Sequence, residues 1–531
     1  MSDALKPVVT PLAPTDFLTR SATVHADRTA VEAAGSSLTY AELAGRAARA
    51  AGMLVDLGLR PGGRVSVLAP NSLAMLEAHF AVPWAGGVLN ALNTRLSAAE
   101  LRYILEHAGT SVLIVDRSLR RLAEEAAKEL VTPPLLLVAG DDSEYEQLVS
   151  QATELRTDVP DETDMIALNY TSGTTGRPKG VMYSHRGAYL QSMAMVMHLG
   201  VTARSSYLWT LPMFHCNGWT FPWAITAAGG RHVLLERPDP EAIWQALEGG
   251  VTHLCAAPTV LNRLAAFAEG RRLEHAVTVA TGGAPPSPAL LGTLGALGIE
   301  VVHVYGLTET HGPAAICDWR PEWDTLPAEE RAGLKARQGV ANVISQPLRV
   351  RASGRDVPAD GTTVGEIQFR GNNVMLGYYK DPGATAAAHD GEWFRTGDLG
   401  VLHQDGYVEI RDREKDVIIS GGENITSIEV EQALDSHPAV LESAVVGVPD
   451  PEWGEAVIAH VALRPGGSAT EAELIAHVKQ RIARFKAPQR VVFGDLPKTA
   501  TGKIQKFKLR ACAQDDDSSE PNESDRQHGE T

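Results

Sequence analysis

From about residue 15 to 410, apolar positions in the chain alternate between two spacings. Short Val/Ile/Leu-rich runs at 64–69, 111–115, 165–169, 181–183, 277–280 and 301–304 read as buried strands. The stretches between them carry helical periodicity, and alternation of this kind argues for α/β layers. The segment 150–163 is polar without an apolar period and reads as a linker. Between 361 and 406 the pattern changes to strands and turns, which predicts a small β-rich subdomain. Beyond Asp412-Arg-Glu-Lys-Asp416 a compact α+β pattern follows, with a helix at 427–436, strands at 442–448 and 456–463, and a helix at 471–484. A domain boundary is therefore placed at 412–416. The end of the chain, around Asp515-Asp-Asp-Ser-Ser-Glu-Pro-Asn-Glu-Ser-Asp525, is acidic and lacks apolar residues, so 512–531 is expected to be a disordered tail. The expected fold class is α/β: a large N-terminal domain of layered α/β subdomains with the β-rich subdomain, then a small α+β C-terminal domain.

Composition narrows the function classes. A chain of 531 residues exceeds one hydrophobic core, so two or three domains are expected. The net charge of -17 leaves no basic excess to displace counterions, which disfavours nucleic acid as a partner. Cys216, Cys255, Cys317 and Cys512 are scattered without a CxxC pair, which suggests neither a disulfide framework nor a zinc site. The N-terminus has no apolar signal core and no run approaches a membrane span, so cytoplasmic residence is the default expectation.

The candidate chemistry begins at Tyr170-Thr-Ser-Gly-Thr-Thr-Gly-Arg-Pro-Lys-Gly180, which packs three glycines and four small hydroxyl side chains into eleven residues. Close backbone N–H groups, small hydroxyls and one ammonium suit a polyphosphate. Arg177-Pro178 separates this loop from the Walker A pattern, where Lys follows the second Gly directly. Tyr305-Gly-Leu-Thr-Glu-Thr310 leaves a predicted strand at its carboxyl end, where α/β folds place ligand contacts. There Tyr305 is suited to stack on a base, Thr308 to bond a phosphate or carboxylate, and Glu309 to hold Mg²⁺ through oxygen. Thr281-Gly-Gly-Ala-Pro285 follows another strand, and its bare glycines admit a flat ring to the backbone. Asp398 in Trp393-Phe-Arg-Thr-Gly-Asp-Leu-Gly400 is suited to accept from two ribose hydroxyls, with Arg413 adding a donor. Lys503 follows a Gly turn and is suited to neutralise charge on a transferring group, although the run Lys498, Lys503, Lys506, Lys508, Arg510 also reads as a solvated basic face.

In this order and spacing, YTSGTTGRPKG, YGLTET, FRTGDLG, DREKD and the Thr-Gly-Lys ending at Lys503 resemble the adenylate-forming superfamily of acyl-CoA synthetases, luciferases and adenylation domains. The resemblance covers residues 15–511. It implies a carboxylate attacking the α-phosphate of Mg·ATP to give an acyl-adenylate and pyrophosphate, then a thiol, usually coenzyme A, displacing AMP. It implies that Thr171, Ser172, Gly173, Thr174, Thr175, Gly176 and Lys179 hold the β- and γ-phosphates, and that Glu309, with Thr171, binds Mg²⁺. Thr308 bonds the phosphate or carboxylate, Tyr305 and the Gly283-Ala284 backbone sandwich adenine, Asp398 and Arg413 hold the ribose, and Lys503 bridges the carboxylate and α-phosphate. An ionised carboxylate needs positioning and charge neutralisation rather than deprotonation. The resemblance also implies an adenylation domain over 1–412, a hinge over 413–416 centred on Lys415, and a mobile domain over 417–511. Rotation there withdraws Lys503 and brings Gly422 to line the pantetheine tunnel. Homodimers are frequent in the superfamily.

Leu211-Pro-Met-Phe-His-Cys-Asn-Gly-Trp219 resembles the bacterial medium- to long-chain fatty acyl-CoA synthetase branch. That branch places His215 beside the acyl channel and a gating aromatic at Trp219. Trp219, Phe221, Trp223, Cys216 and Ile225 are apolar enough to line a tunnel, with Phe221 and Trp223 better read as core. Pro313-Ala-Ala315 would leave space. No basic residue in these stretches greets a second carboxylate, which disfavours dicarboxylates. A medium- or long-chain fatty acid is the lead expectation, and an aryl or cinnamate-like acid the alternative. A carrier-protein thiol or another nucleophile is the alternative acceptor to coenzyme A. Lys503, Glu309 and Asp398 argue against a catalytically inactive binding protein.

Overall fold

The computed structural model describes residues 9–517 except 34, 172–176, 236–237, 285, 452 and 500–502. The chain divides into two compact units, Met1–Arg349 with Gln368–Thr396, and Val350–Ile367 with Gly397–Thr531.

The first unit holds two large sheets. One runs in spatial order Val340–Ala341, Gly312–Ile316, Ile299–Leu307, Val277–Thr281, His253–Cys255, Ser206–Trp209, Arg231–Leu234, Thr29–Ala33, Ser36–Thr39. Its six central strands, from Ile299–Leu307 to Thr29–Ala33, are joined by five parallel pairings, and the edges are antiparallel. The other sheet runs Gly377–Tyr378, Lys179–Ser184, Met165–Thr171, Val88–Ala91, Arg64–Leu68, Thr110–Asp116, Leu135–Ala139. Parallel strands are buried on both faces and so read as continuous apolar runs, which is why these strands were legible without alternation.

Capping residues set the helix starts. Thr39 with Glu42, and Ser97 with Glu100, form reciprocal capping boxes at Tyr40–Asp56 and Ala98–Ala108. The helix Leu73–Trp84 is buried on all sides from Ala74 onward, so it carries no amphipathic stripe. It belongs to a core that also takes in Tyr207, Trp209, Phe221 and Trp223. Each fully buried side chain of this size stabilises the fold by roughly 2–3 kcal/mol through loss of apolar surface. Phe221 stacks on Tyr207 at 4.8 Å, and Phe221 and Trp223 are fully buried core residues, the reading preferred for them from sequence.

The segment 153–161 has no regular structure but is not a loose tether. Leu155 N donates to Ala48 O at 2.9 Å and Thr157 N to Trp84 O at 3.1 Å. It passes so near Gly52 that a Cβ there would meet the Thr153 carbonyl oxygen at 1.9 Å.

In the second unit, Val408–Arg413 pairs antiparallel with the strand that ends at Leu402, setting Asp398 opposite Arg413. A five-stranded sheet follows in order Glu423–Ile425, Ile418–Ser420, Gly454–Leu463, Val440–Asp450, with Arg490–Phe493 beside Gly454–Leu463. Helices Ser427–Asp435 and Glu471–Lys479 supply the rest of its core. The latter helix stops at Lys479, short of the expected 484, and a 3₁₀ turn at Arg484–Lys486 follows. Residues 512–517, expected to be disordered, continue the helix Lys506–Asp517. Leu509 anchors that helix on the sheet. The remainder of the acidic tail, 518–531, lies outside the described residues.

Candidate active site

In the first unit the candidate residues gather at strand ends. Thr171 ends one strand and faces Lys179 across its antiparallel partner. Ser172, Gly173, Thr174, Thr175 and Gly176 lie outside the described residues. Lys179 Nζ sits 4.7 Å from the centroid of the Tyr378 ring. The Tyr378 hydroxyl donates to Glu309 Oε1 at 2.8 Å, so the cation, the ring and the carboxylate are strung together. Met375 N donates to the Glu309 carbonyl at 2.8 Å and fixes the same turn from the backbone.

Thr308 and Glu309 begin a 3₁₀ turn directly after Ile299–Leu307. Tyr183 donates its hydroxyl to Thr308 O at 2.6 Å. Burial, then the Cys216 and Glu309 charges, raise the Tyr183 pKa well above the ordinary phenol value, so it stays a donor. The Cys216 thiol lies 3.6 Å from Thr308 Oγ1, and burial pushes its pKa up to about 12. It is therefore an apolar neighbour of Thr308 rather than a nucleophile. Tyr305 is buried, its ring tilted on Phe369 at 5.7 Å. Gly283 and Ala284 are exposed, and Gly283 has φ +86 with open space where a side chain would stand. Gly282 is different, because a Cβ there would meet Val304 O at 2.6 Å and Trp219 Cη2 at 3.3 Å. Only the second glycine of the pair is open to a ligand.

The segment after Ser206–Trp209 has an unusual backbone. Cys216, Asn217, Gly218, Trp219 and Thr220 have φ of 47°, 45°, 55°, 53° and 66°, a left-handed turn within a buried stretch. Each non-glycine residue there costs roughly 1–2 kcal/mol, and a β-branched residue such as Thr220 is a marked outlier. Gly218 N donates to His215 O at 2.8 Å, and Thr220 N to Asn217 O at 3.0 Å. The half-buried His215 thus caps the turn through its carbonyl. The turn delivers Trp219, 8% exposed, against two glycines. Besides the Gly282 approach, a Cβ on Gly312 would meet Trp219 Cδ1 at 3.1 Å and Cβ at 3.3 Å. The two ends of the indole are pinned by two separate backbone segments.

The second unit carries the remaining candidates. Arg413 Nε pairs with Asp398 Oδ1 at 3.2 Å, and Asp398 is 3% exposed. Lys415 is exposed in the turn 414–416, where Asp416 N donates to Arg413 O at 2.8 Å. Asp416 is tied to Arg510 at 2.6 Å. Gly421 and Gly422 have φ of +60° and +83° between paired Ser420 and Glu423, the two-residue hairpin turn that demands left-handed residues. A Cβ on Gly422 would meet nothing within 4 Å, so its glycine is required by this turn geometry. Lys503 N donates to Thr499 Oγ1 at 3.1 Å, and Thr499 N to Lys503 O at 2.7 Å. The Lys503 ammonium is pushed down to about 7 by burial and then by Arg413, with Lys415 adding to the effect and Asp398 and Asp416 opposing it.

Among the described residues no group of three or more His, Cys, Asp or Glu gathers into a metal centre. The oxygen donors at the strand ends, Glu309 and Thr171, suit a hard cation that takes its other ligands from phosphate and water. Tyr378, Tyr183 and Asn217 were not singled out for roles here by sequence, and Cys216 was named only as a tunnel-lining candidate. The Asn217-Gly218 pair is a turn signal that was available.

Residues 18–379 match the family model described as AMP-binding enzyme, and 429–503 match that of the AMP-binding enzyme C-terminal domain. The chain belongs to this family. It is 44% identical over 541 residues to an acetate–CoA ligase, CCL3, of Humulus lupulus, covering 95% of each. It is 45% identical over 529 residues to a 2-methylpropanoate–CoA ligase, CCL4, of the same plant, again covering 95% of each. A peroxisomal trans-cinnamate:CoA ligase of Petunia hybrida is 43% identical, with 95% of this chain and 94% of that protein covered. ATP-bound MatB from Rhodopseudomonas palustris superposes with a TM-score of 0.84 at 31% identity, covering 94% of this chain and 99% of that one. The protein is an AMP-forming acid–thiol ligase that uses ATP, Mg²⁺ and coenzyme A and acts on a carboxylic acid. Among the described residues no helix is long and apolar enough to cross a membrane.

Proposed function

We propose that this ligase acts on a short aliphatic monocarboxylic acid. The carrying observation is the Trp219 indole, held between Gly282 and Gly312 at the strand ends, three residues after the Cys216 that touches Thr308. A long alkyl chain entering there must expel a ring that is 8% exposed. Re-exposing an indole costs on the order of 2–3 kcal/mol, a discrimination of roughly 30- to 150-fold. The acids in the names of two relatives, acetate and 2-methylpropanoate, support this reading. The expected medium- or long-chain fatty acid has no such support. A cinnamate-type acid is the second reading, favoured by the 43% identical trans-cinnamate ligase and by the flat face an indole offers a planar acid.

In this reading Glu309 and Thr171 hold Mg²⁺, which screens the phosphate charge, and Lys179 with the loop at 172–176 holds the departing pyrophosphate. Thr308 orients the carboxylate, with His215 beside the acyl group. Tyr305 and the Gly283-Ala284 backbone receive adenine, and Asp398 and Arg413 the ribose. Lys503 neutralises charge between carboxylate and α-phosphate, the turn at Lys415 is the hinge between half-reactions, and Gly422 borders the thiol path. None of these groups abstracts a proton, because the acid arrives ionised. The test is kcat/KM across acetate, butyrate, 2-methylpropanoate, octanoate, dodecanoate and trans-cinnamate, for the wild type and Trp219→Ala. Short acids are expected to lead in the wild type and octanoate to gain at least tenfold in the variant. A wild-type maximum at dodecanoate sinks the proposal.

A further inference from the structure

The left-handed turn is anchored by one buried amide. Asn217 N donates to Asn169 Oδ1 at 3.1 Å, and Asn169 Nδ2 returns a hydrogen bond to Asn217 Oδ1. Asn217 Nδ2 then donates to His79 Nε2 at 3.2 Å. His79 Nδ1 lies 2.8 Å from Met75 O and so carries the ring proton, which leaves Nε2 free to accept. Burial lowers the His79 pKa to about 4, and the neutral ring this chain needs is the one burial selects. Asn169, Asn217 and His79 are all fully or almost fully buried, at 2%, 0% and 0% exposure.

These three residues come from three different places. Asn169 lies on Met165–Thr171, two residues before the start of the phosphate loop. His79 lies inside the helix Leu73–Trp84, and its own carbonyl accepts from Trp223 Nε1 at 3.0 Å. Asn217 sits between Cys216, which touches Thr308, and Trp219, which lies on Gly282 and Gly312. A single side chain therefore ties the acyl-side turn to the strand that carries the phosphate loop.

We propose that Asn217 is a positioning residue that fixes Trp219 through this amide chain and so sets which acids the enzyme accepts. The inference rests on the reading of Trp219 given under the proposed function. It does not follow from a tolerance of Asn for left-handed backbone, because glycine meets that requirement better. Asn217→Gly keeps the backbone freedom and deletes only the amide, so it separates the two explanations.

The experiment measures acid and ATP KM and the acid profile for Asn217→Gly, Trp219→Ala and the double variant. The proposal expects Asn217→Gly to raise the KM for butyrate at least tenfold, to leave the ATP KM within twofold, and to move the profile toward octanoate. It expects that effect to vanish in the Trp219→Ala background, since residues acting through one another are not additive. An unchanged profile, a joint rise of both KM values, or an effect undiminished without Trp219 overturns it. Should Asn217→Gly not fold, His79→Leu removes the acceptor at the other end of the amide and is judged by the same outcomes. If Trp219→Ala alone leaves the profile unmoved, the reading of the acid pocket fails. If it shifts the profile and Asn217→Gly does not, only the anchoring role fails.

Discussion

Tyr378 donates its hydroxyl to Glu309 at 2.8 Å while the Lys179 ammonium lies over its ring at 4.7 Å. One aromatic side chain thus spaces the candidate metal-binding carboxylate from the candidate phosphate-binding cation. Left alone, a carboxylate and an ammonium at such a strand end would collapse into an ion pair and mask both charges from the nucleotide. The ring lets Glu309 keep one oxygen bonded and one free of Tyr378, and holds Lys179 without neutralising it.

Replacing Tyr378 by Phe keeps the ring under Lys179 and removes the hydrogen bond to Glu309. A hydrogen bond to a charged group contributes about 1.5–3 kcal/mol, so kcat/KM for ATP is expected to fall roughly 10- to 100-fold. The acid KM is expected to hold within twofold. ATP–pyrophosphate exchange titrated with Mg²⁺ checks this, and the Mg²⁺ concentration for half-maximal exchange is expected to rise. An unchanged Mg²⁺ requirement would show that Tyr378 does not orient a metal-binding carboxylate.

Legibility in the sequence followed locality. Buried parallel strands announce themselves as apolar runs, and the loops that leave them carry Gly and Thr because close backbone approach needs small residues. The strands at Val277–Thr281 and Ile299–Leu307 and the motifs after them were therefore readable. Partners far apart in sequence were not. Tyr378 lies 69 residues from Glu309, Asn217 48 from Asn169 and 138 from His79. Each looks like an ordinary core or strand residue until folding brings it to its partner. The polar stretch at 153–161 carried no periodic signal of its packing, because the contacts that fix it are main-chain hydrogen bonds and single side chains such as Thr157, whose hydroxyl donates to Trp84 O at 2.7 Å. At Gly422 the glycine was visible and the turn that demands it was not, since paired left-handed residues are a property of the hairpin.

The hinge assignment concerns the turn 414–416, where Lys415 is exposed and Arg413 O accepts from both Asp416 N and Val417 N. Proline at 415 fixes φ near −65° and restricts residue 414 to extended conformations, which removes the dihedral freedom a rotation needs. Lys415→Pro is expected to retain acid-dependent ATP–pyrophosphate exchange within about threefold and to lose CoA thioester formation at least 100-fold, a barrier increase of at least about 2.7 kcal/mol on the second half-reaction. Stopped measurements of each half-reaction check this. Equal loss in both would remove Lys415 from the hinge role.

Lys503 is held in a surround that disfavours its charge, through burial first and then Arg413. Its folded-state pKa of about 7 lies below the ordinary lysine value of 10.5, so the unfolded chain binds the additional proton between those limits. Stability then rises with pH across that window, and the cost of the lysine is full below pH 7 and gone by about pH 10.5. An apolar side chain of similar length escapes the cost. Lys503→Met is expected to lose adenylate formation at least 100-fold while raising the melting temperature of the second unit by about 3 °C or more at pH 6.5, since 1 kcal/mol moves a unit of this size by roughly 2–4 °C. The gain is expected to shrink steadily between pH 7 and 9. Calorimetric scans at pH 6.5, 8 and 9 read both the sign and the slope. A variant less stable than the wild type at pH 6.5, or a gain that grows with pH, would show that Lys503 is held as a structural cation and not as a charge kept ready for the nucleotide.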